Sequence, residues 1–376
     1  MRRTLIVFFC FLLLLLGTFF FRKGNYPKNF GEASPDSTYP CVVQDAVLSH
    51  RMKPGCNENA LRLGKSVRIR INSLGLRGPE YRLKRKDELR ILLLGPSGVF
   101  GVGQEEAATI SSEVERILTK KFQRKITVIN GGIEGYFVVQ HYLSLPLLLK
   151  KLHPDITMLV LAVADGPMKD MITMTACKFG ADGFPLACAR NPAQDMPTAI
   201  AKWIWASPPN FFRAYTAELF YDRLLLSWKL WLKFYPNKRI DFLASPLIPM
   251  LKKMAELSSQ HNSEFFIFEH QVGTNNRPYI GGFMNSGIAH FFKFFTPIIV
   301  LPRQALYKYL LQSGLPVLTF QSSVIAEPWK KFKSIVYVDD GFHISPSGVH
   351  LFASGIAEGL SSKIESLLKR KHYGIK

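Results

Sequence analysis

Short apolar segments alternate with longer segments of helical spacing in the first half of the chain. Residues 90–94, 125–129 and 156–163 are apolar runs of strand length. Between them, residues 105–122 and 138–152 carry apolar positions three and four apart, which predicts two helices. This order of strand, helix, strand, helix, strand predicts an α/β fold in which helices cover both faces of a parallel sheet.

The same alternation returns towards the C-terminus. Residues 264–268, 316–320 and 335–338 predict three further strands. Residues 303–312 predict a helix between the first two of these, and residues 348–368 predict a terminal helix. The second half therefore extends the α/β pattern of the first half.

The alternation is lost in the middle of the chain, and we interpret residues of about 174–260 as an insertion. Within it, residues 214–235 are rich in aromatic side chains at helical spacing. Such aromatics could rest on a membrane interface, although aromatics at this spacing more often belong to a core.

The N-terminus predicts a membrane anchor. Residues 4–21 carry no charge and would span roughly 27 Å as a helix, close to the hydrocarbon thickness of a bilayer. The run is long for a signal peptide and lacks a small-residue cleavage pattern, so we predict a transmembrane signal anchor over residues 1–23. Residues 24–40 are rich in turn-forming residues and predict a linker, and the folded domain is expected over residues 41–376.

Composition describes a globular protein with a strong positive charge. Hydrophobic residues make up 47% and charged residues 20% of the chain, and the net charge is +20. Such a charge favours anionic partners, among which lipid head groups come first for an anchored domain. The densest basic stretch, residues 62–90, carries no nucleic-acid motif, so we expect no nucleic-acid partner. We expect most of its charges to form a solvated face.

Four cysteines outside the anchor fall into two close pairs, Cys41 with Cys56 and Cys177 with Cys188. Two disulfides in an oxidising compartment would explain this spacing, and four free thiols are the alternative. Neither pair has the CxxC spacing or the neighbouring histidines of a zinc site, so we expect no metal. A disulfide-forming domain after the anchor would place the N-terminus in the cytoplasm and the domain in the periplasm or outside the cell.

Candidate chemistry lies where the predicted strands end, because ligands of open α/β sheets bind outside the carboxyl ends of the strands. Residues 94–103 follow the first strand with a glycine-rich turn that presents Ser97. A phosphate loop is the rival interpretation, but the Lys-Ser/Thr pair is absent. Residues 130–136 follow the second strand and offer further backbone N–H groups, and residues 162–166 follow the third.

A fourth place, ahead of the terminal helix, carries Asp340 and His343. A carboxylate three residues before an imidazole can orient one ring nitrogen and leave the other to accept a proton from a hydroxyl. Together with Ser97 these residues have the composition of a catalytic triad.

The four places resemble the SGNH/GDSL hydrolase family in order and spacing over roughly residues 72–360, and residues 72–78 are similar to a segment that often precedes the nucleophile block. The resemblance implies a flavodoxin-like three-layer sandwich with a central parallel sheet and no cofactor. It also implies that Ser97 is the nucleophile, His343 the general base and Asp340 the carboxylate that orients it. The N–H groups of Ser97 and Gly135 would form the oxyanion hole.

Two positions depart from the family pattern. Pro96 stands where the family has the aspartate of Gly-Asp-Ser, and it removes a backbone N–H from the nucleophile loop, which we therefore expect to be re-posed. Ala164, followed by Asp165, stands where the family has an asparagine that donates to the oxyanion.

Two functions remain open on the sequence alone. The first is a serine esterase or O-acyl transferase that acts on O-acylated glycans or lipids at a membrane. The second is a catalytically degenerate member that serves as a binding or structural subunit of a membrane complex. The triad favours the first, and the altered positions favour the second.

Overall fold

A computed structural model describes residues 41–62, 65–161, 177–188, 247–270, 310–320 and 344–373. Its centre is a parallel sheet of five strands, which are, in chain order, β5 (Leu89–Gly95), β6 (Ile126–Gly132), β7 (Ile156–Leu161), β10 (Glu264–His270) and β11 (Val317–Phe320). Across the sheet the order is β11-β10-β7-β5-β6. Numbered by their place in the chain this is 2-1-3-4-5, the flavodoxin-like order. The predicted α/β class and parallel sheet are confirmed.

Helices cover both faces of the sheet. On one face lie α2 (Ile110–Phe122) and α5 (Pro346–Tyr373), which share a core with the odd-numbered residues of β5 such as Ile91. On the other face lie α3 (Val138–Leu152) and α4 (Leu247–Gln260), which share a core with the even-numbered residues such as Leu92. Because both faces are covered, all residues of β5 and β7 are buried, as expected of central parallel strands.

Two short hairpins precede the sheet and form a third core cluster. They are β1 (Val42–Asp45) with β2 (Ser49–Met52), and β3 (Asn57–Arg62) with β4 (Lys65–Arg70). A disulfide joins Cys41 to Cys56, and both cysteines are buried. Their core includes residues that follow β5 and β6, so the hairpins lie over the carboxyl edge of the sheet.

A third, very short hairpin consists of β8 (Lys178–Phe179) and β9 (Pro185–Ala187). A disulfide between Cys177 and Cys188 closes it. The N–H group of Cys188 donates to the Val47 carbonyl in the turn of the first hairpin, at 2.7 Å. The β8–β9 hairpin is thereby linked to the same end of the molecule.

The predicted helices and strands differ little in their bounds from those in the structure. Helix α3 has the predicted bounds, whereas the predicted helix over 105–122 begins as a 3-10 turn (Glu106–Ala108) before α2. Helix α4 lies within the range assigned to the insertion, and the structure packs it against the sheet as a core layer. The anchor, the linker, the aromatic stretch and the strand over 335–338 lie outside the described residues.

No helix within the described residues is long and apolar enough to cross a membrane.

The basic stretch over residues 62–90 is solvated only in part. Most of its cations are exposed, whereas Arg77 and Arg90 are buried. Arg90 pairs with the buried Glu88 at 2.7 Å and donates to the Leu152 carbonyl, which supplies the partners that a buried guanidinium requires.

Candidate active site

Ser97 begins a single helical turn, α1 (Ser97–Phe100), which follows the interior strand β5 after Pro96. Gly95 has a φ of 159°, and a side chain there would lie 2.5 Å from Val99, so the sharp exit from the strand requires glycine. Pro96 has a φ of −79°, close to the value that its ring imposes, and its carbonyl accepts from the N–H groups of Val99 and Phe100 at 3.0 Å each. The half-buried Ser97 is thus presented at the carboxyl edge of the sheet.

The neighbouring strand β6 fits against this turn through a glycine. A side chain on Gly132 would come within 2.3 Å of the Phe100 nitrogen, so only glycine allows this approach. Asn130 accepts from the Gly132 N–H at 3.0 Å, and Ile133 donates its N–H to the Gly95 carbonyl at 3.1 Å. The Gly132 N–H is therefore already engaged in a hydrogen bond and does not point towards a ligand.

Gly135 remains the exposed glycine of this segment, with a φ of 80°. Residues of the first hairpin hold the segment in place. The Nε2 atom of His50 lies 2.8 Å from the Glu134 carbonyl oxygen, and the hydroxyl of the buried Tyr136 donates to the His50 carbonyl at 2.8 Å. Sequence reasoning missed His50, because an isolated histidine in a hairpin carries no motif.

Arg77 stabilises the end of α1, the turn that begins at Ser97, through hydrogen bonds to its carbonyl groups. One of its terminal nitrogens donates to the carbonyls of Phe100 and Gly101 at 3.0 and 2.6 Å, and the other donates to the Gln104 carbonyl at 2.5 Å. Its guanidinium carbon lies 5.1 Å from the centre of the Phe100 ring. Burial lowers the pKa of Arg77 to about 10, so the side chain stays charged at neutral pH. The segment over residues 72–78, noted above for its resemblance, contains this arginine.

The predicted block ahead of the terminal helix contacts α1 through Ile344. A side chain on Gly98 would lie 2.8 Å from the Cδ1 atom of Ile344, so the two residues are in close contact. The side chain of Gln104 donates to the Ile344 carbonyl at 3.0 Å. The residue that follows Ser97 in the chain therefore touches the residue that follows His343.

The start of α5 fixes this block further. The Ser345 hydroxyl accepts from the Gly348 N–H at 3.0 Å, which satisfies one of the open donors of the first helical turn. The Nδ1 atom of His350 lies 2.8 Å from Glu113 of α2. Hydrogen bonds from Arg116 and His350 outweigh burial and lower the pKa of Glu113 to about 2.

A further histidine, His141 of α3, is buried close to Gly95 and Tyr136. Its ring is 5.4 Å from that of Tyr136. Burial lowers its pKa to about 4, although a hydrogen bond to the Gly95 backbone acts in the opposite direction. His141 is therefore neutral at pH 7. It contacts both the end of β5, at Gly95, and the segment that contains Gly135, through Tyr136. No motif in the sequence predicted a role for His141.

Several predicted site residues lie outside the described residues: Asp340, His343, Ala164 and Asp165. Within the described part of the chain, no cluster of three or more His, Cys, Asp or Glu side chains is arranged to hold a metal ion. The two predicted cysteine pairs form disulfides in the structure. The structure thus brings Ser97, Pro96 and Gly135 to one edge of the sheet.

No family model matches the sequence, and no curated protein sequence matches it. Several solved structures are similar. A lipase/acylhydrolase from Enterococcus faecalis is 14% identical with a TM-score of 0.38, and the match covers 73% of this chain and 96% of that one. A family 3 carbohydrate esterase from Clostridium thermocellum is 14% identical with a TM-score of 0.38, over 75% and 99% of the two chains. A protein described as a GDSL-like lipase from Parabacteroides merdae is 14% identical with a TM-score of 0.39, over 75% and 99%.

In its fold the chain resembles SGNH/GDSL hydrolases. The fold assignment rests on the strand order of the sheet. The SGNH/GDSL resemblance noted in the sequence concerns four blocks: those that carry Ser97 and Gly135, the block over residues 162–166, and the last block, which contains Ile344. In the structure the first two blocks follow β5 and β6, and Ile344 contacts the first.

Proposed function

We propose that the chain is a serine ester hydrolase or O-acyl transferase of the SGNH/GDSL type. The observation that carries the proposal is the contact between Gly98 and Ile344, reinforced by the hydrogen bond from Gln104 to the Ile344 carbonyl. Ile344 directly follows His343 in the chain, and its contact with Gly98 supports the proposal that the last block belongs to the same site as Ser97.

In the proposed reaction the Ser97 hydroxyl attacks an ester carbonyl while His343 accepts its proton and Asp340 orients the imidazole. The N–H groups of Ser97 and Gly135 stabilise the negative oxygen of the tetrahedral intermediate. The intermediate collapses to an acyl-enzyme as the alcohol leaves with the proton from His343. Water or an acceptor hydroxyl then releases the acyl group by the reverse sequence.

Ala164 reduces the rate that this site is expected to reach. Loss of one oxyanion donor typically costs about 10² to 10³ in rate. The same substitution, together with Pro96, favours a second candidate function, in which the domain binds an acylated ligand or a partner protein of a membrane complex without turning over a substrate.

Labelling with a fluorophosphonate separates the two functions. A serine that an adjacent base activates reacts covalently with this probe, so the hydrolase proposal expects modification of the purified chain at Ser97. The matched controls are Ser97→Ala, which removes the candidate nucleophile, and Ser66→Ala, which removes an exposed hydroxyl of β4. Folded chain that stays unlabelled, or labelling that Ser97→Ala leaves unchanged, would contradict the hydrolase proposal.

We also propose that the domain is anchored by residues 1–23 at the outer face of a membrane and acts on O-acylated glycans or lipids there. The two disulfides support an oxidising compartment. Alkylation of the chain from unreduced membranes is then expected to modify only Cys10 of the five cysteines. Modification of Cys41 or Cys177 without reductant would argue against this compartment.

A further inference from the structure

The edge of the sheet opposite Ser97 carries a dense set of positive charges, which we call the basic face. Its members are exposed and stand just before β5, β6 and β7: Arg82, Arg85, Lys86, Lys120, Arg124, Lys125, Lys150 and Lys151. Because the three strands are parallel, the segments that precede them meet at one edge.

Hydrogen bonds join these segments into one surface. Leu89 donates its N–H to the Lys125 carbonyl at 3.1 Å, which connects the segments before β5 and β6. The Arg90 guanidinium donates to the carbonyls of Arg82 and Leu152, which connects the segments before β5 and β7. The basic face is therefore continuous.

The acidic residues within these segments pair with only one member of the basic face, Arg85. Asp87 pairs with Arg85 at 3.0 Å, Glu88 pairs with the buried Arg90, and Asp155 pairs with Lys84 at 2.7 Å. The remaining cations of the basic face form no ion pair within the described part of the chain: Arg82, Lys86, Lys120, Arg124, Lys125, Lys150 and Lys151. The surface therefore has a strong net positive charge.

An apolar side chain projects from the same surface. Leu83 is 92% exposed, the highest value among the large hydrophobic residues of the described regions, and it stands between Arg82 and Lys84. Cations around an exposed leucine match the boundary of a bilayer, where head groups are anionic and the layer beneath them is apolar. A polyanion such as a nucleic acid would satisfy the cations but offers no apolar layer for Leu83.

We propose that the basic face docks on an anionic membrane surface, with Leu83 at the boundary between head groups and acyl chains. The linker predicted over residues 24–40 reaches at most about 60 Å, so an anchored chain keeps this face within reach of the bilayer. Strand β5 separates the face from Ser97 by roughly 20 Å. Docking in this way turns the carboxyl edge of the sheet towards the aqueous side, and under the proposed function it favours O-acylated glycans over membrane lipids as substrates.

The test uses the full chain in lipid nanodiscs, with an environment-sensitive fluorophore on Leu83→Cys in a Cys10→Ser background. Quenching by nitroxide-labelled lipid reports contact with the bilayer. The matched control carries the fluorophore on Leu186→Cys, since Leu186 is 61% exposed on β9, next to the hairpin that covers the Ser97 edge. In discs that contain phosphatidylglycerol, quenching at position 83 is expected to exceed that at position 186 several-fold.

Charge reversal at two locations distinguishes an effect of the basic face from an effect of the overall net charge. The triple variant Arg82→Glu, Lys86→Glu and Lys125→Glu is expected to reduce the quenching at position 83 to the level of discs that contain phosphatidylcholine alone. The triple variant Lys53→Glu, Lys65→Glu and Arg68→Glu, with the same net charge but on the hairpins, is expected to retain it.

Three results would overturn the proposal. One is equal quenching at positions 83 and 186 in anionic discs. Another is an equal loss in both triple variants, which would show that overall charge and not this face is responsible. The third is protection of position 83 by duplex DNA without quenching by lipid, which would assign the face to nucleic acid. The outcome does not depend on whether Ser97 is reactive.

Discussion

Replacement of Arg77 by methionine tests how much the hydrogen bonds of Arg77 to the end of α1 contribute to stability. Methionine keeps much of the apolar stem but removes the donors to the carbonyls of Phe100, Gly101 and Gln104. These three acceptors lie in a region where water does not replace the guanidinium, because Arg77 itself is only 1% exposed. The variant therefore leaves buried acceptors without partners.

The expected loss of stability follows from two opposing contributions. Hydrogen bonds from a charged donor contribute about 1.5–3 kcal/mol each. The cost of burying the guanidinium, visible in its pKa of about 10, offsets part of their sum. We expect Arg77→Met to lower the free energy of unfolding by about 3 kcal/mol, and Arg77→Lys to lower it by less, since an ammonium can still donate to some of the carbonyls.

Urea denaturation of the purified chain, followed by circular dichroism, measures this difference. Arg68→Met serves as the control, because Arg68 is an exposed arginine on the adjacent strand β4 and should change stability by less than about 0.5 kcal/mol. If Arg77→Met unfolds at the same urea concentration as the control, the contacts of Arg77 do not hold the turn and the reasoning fails.

Two further predictions concern the supports of the site. Gln104→Leu should slow fluorophosphonate labelling at Ser97 about tenfold at a cost in stability of only about 1 kcal/mol, because it releases the Ile344 carbonyl; labelling at the rate of the exposed control Gln123→Leu would refute this. The lowered pKa of His141 means that the folded state resists protonation, so His141 contributes a loss of stability as the pH falls from about 6.5 to about 4, amounting to about 3 kcal/mol. His141→Phe should flatten the pH dependence of the urea midpoint in this window, and an unchanged slope would contradict the assignment.

The strands and helices of the sheet could be predicted because their apolar periodicity is a local property. β5 and β7 are continuous apolar runs that are buried on both faces, and α3 has apolar positions at helical spacing, so the chain itself carries the signal. The glycine after β5 was likewise predictable as a turn, and the structure adds the reason, a close approach between Gly95 and Val99.

The supports of the site could not be predicted, because they arise from contacts between distant parts of the chain. His50 and Glu134 are 84 residues apart, and Gln104 and Ile344 are 240 residues apart. The burial of Arg77 also contradicts the usual preference of arginine for solvent, and nothing in its immediate sequence shows that three carbonyls await it. Sequence order indicates which loops share an edge of the sheet, but not which side chains join them.

The geometry around Pro96 changes the weight of the two departures from the family pattern. Pro96 has a φ of −79° that suits its ring, and its carbonyl accepts the first hydrogen bonds of the turn that presents Ser97. That the loop is re-posed relative to the family stays a prediction. Arg77 and Gly132 then fix that turn from two other sides. Under the proposed function, the expected deficit then lies in stabilisation of the oxyanion, because the Ala164 side chain has no hydrogen-bond donor. A site with its nucleophile in place and one donor fewer should acylate slowly and still acylate, so the rate of labelling, and not only its presence, distinguishes a weak catalyst from a binding protein.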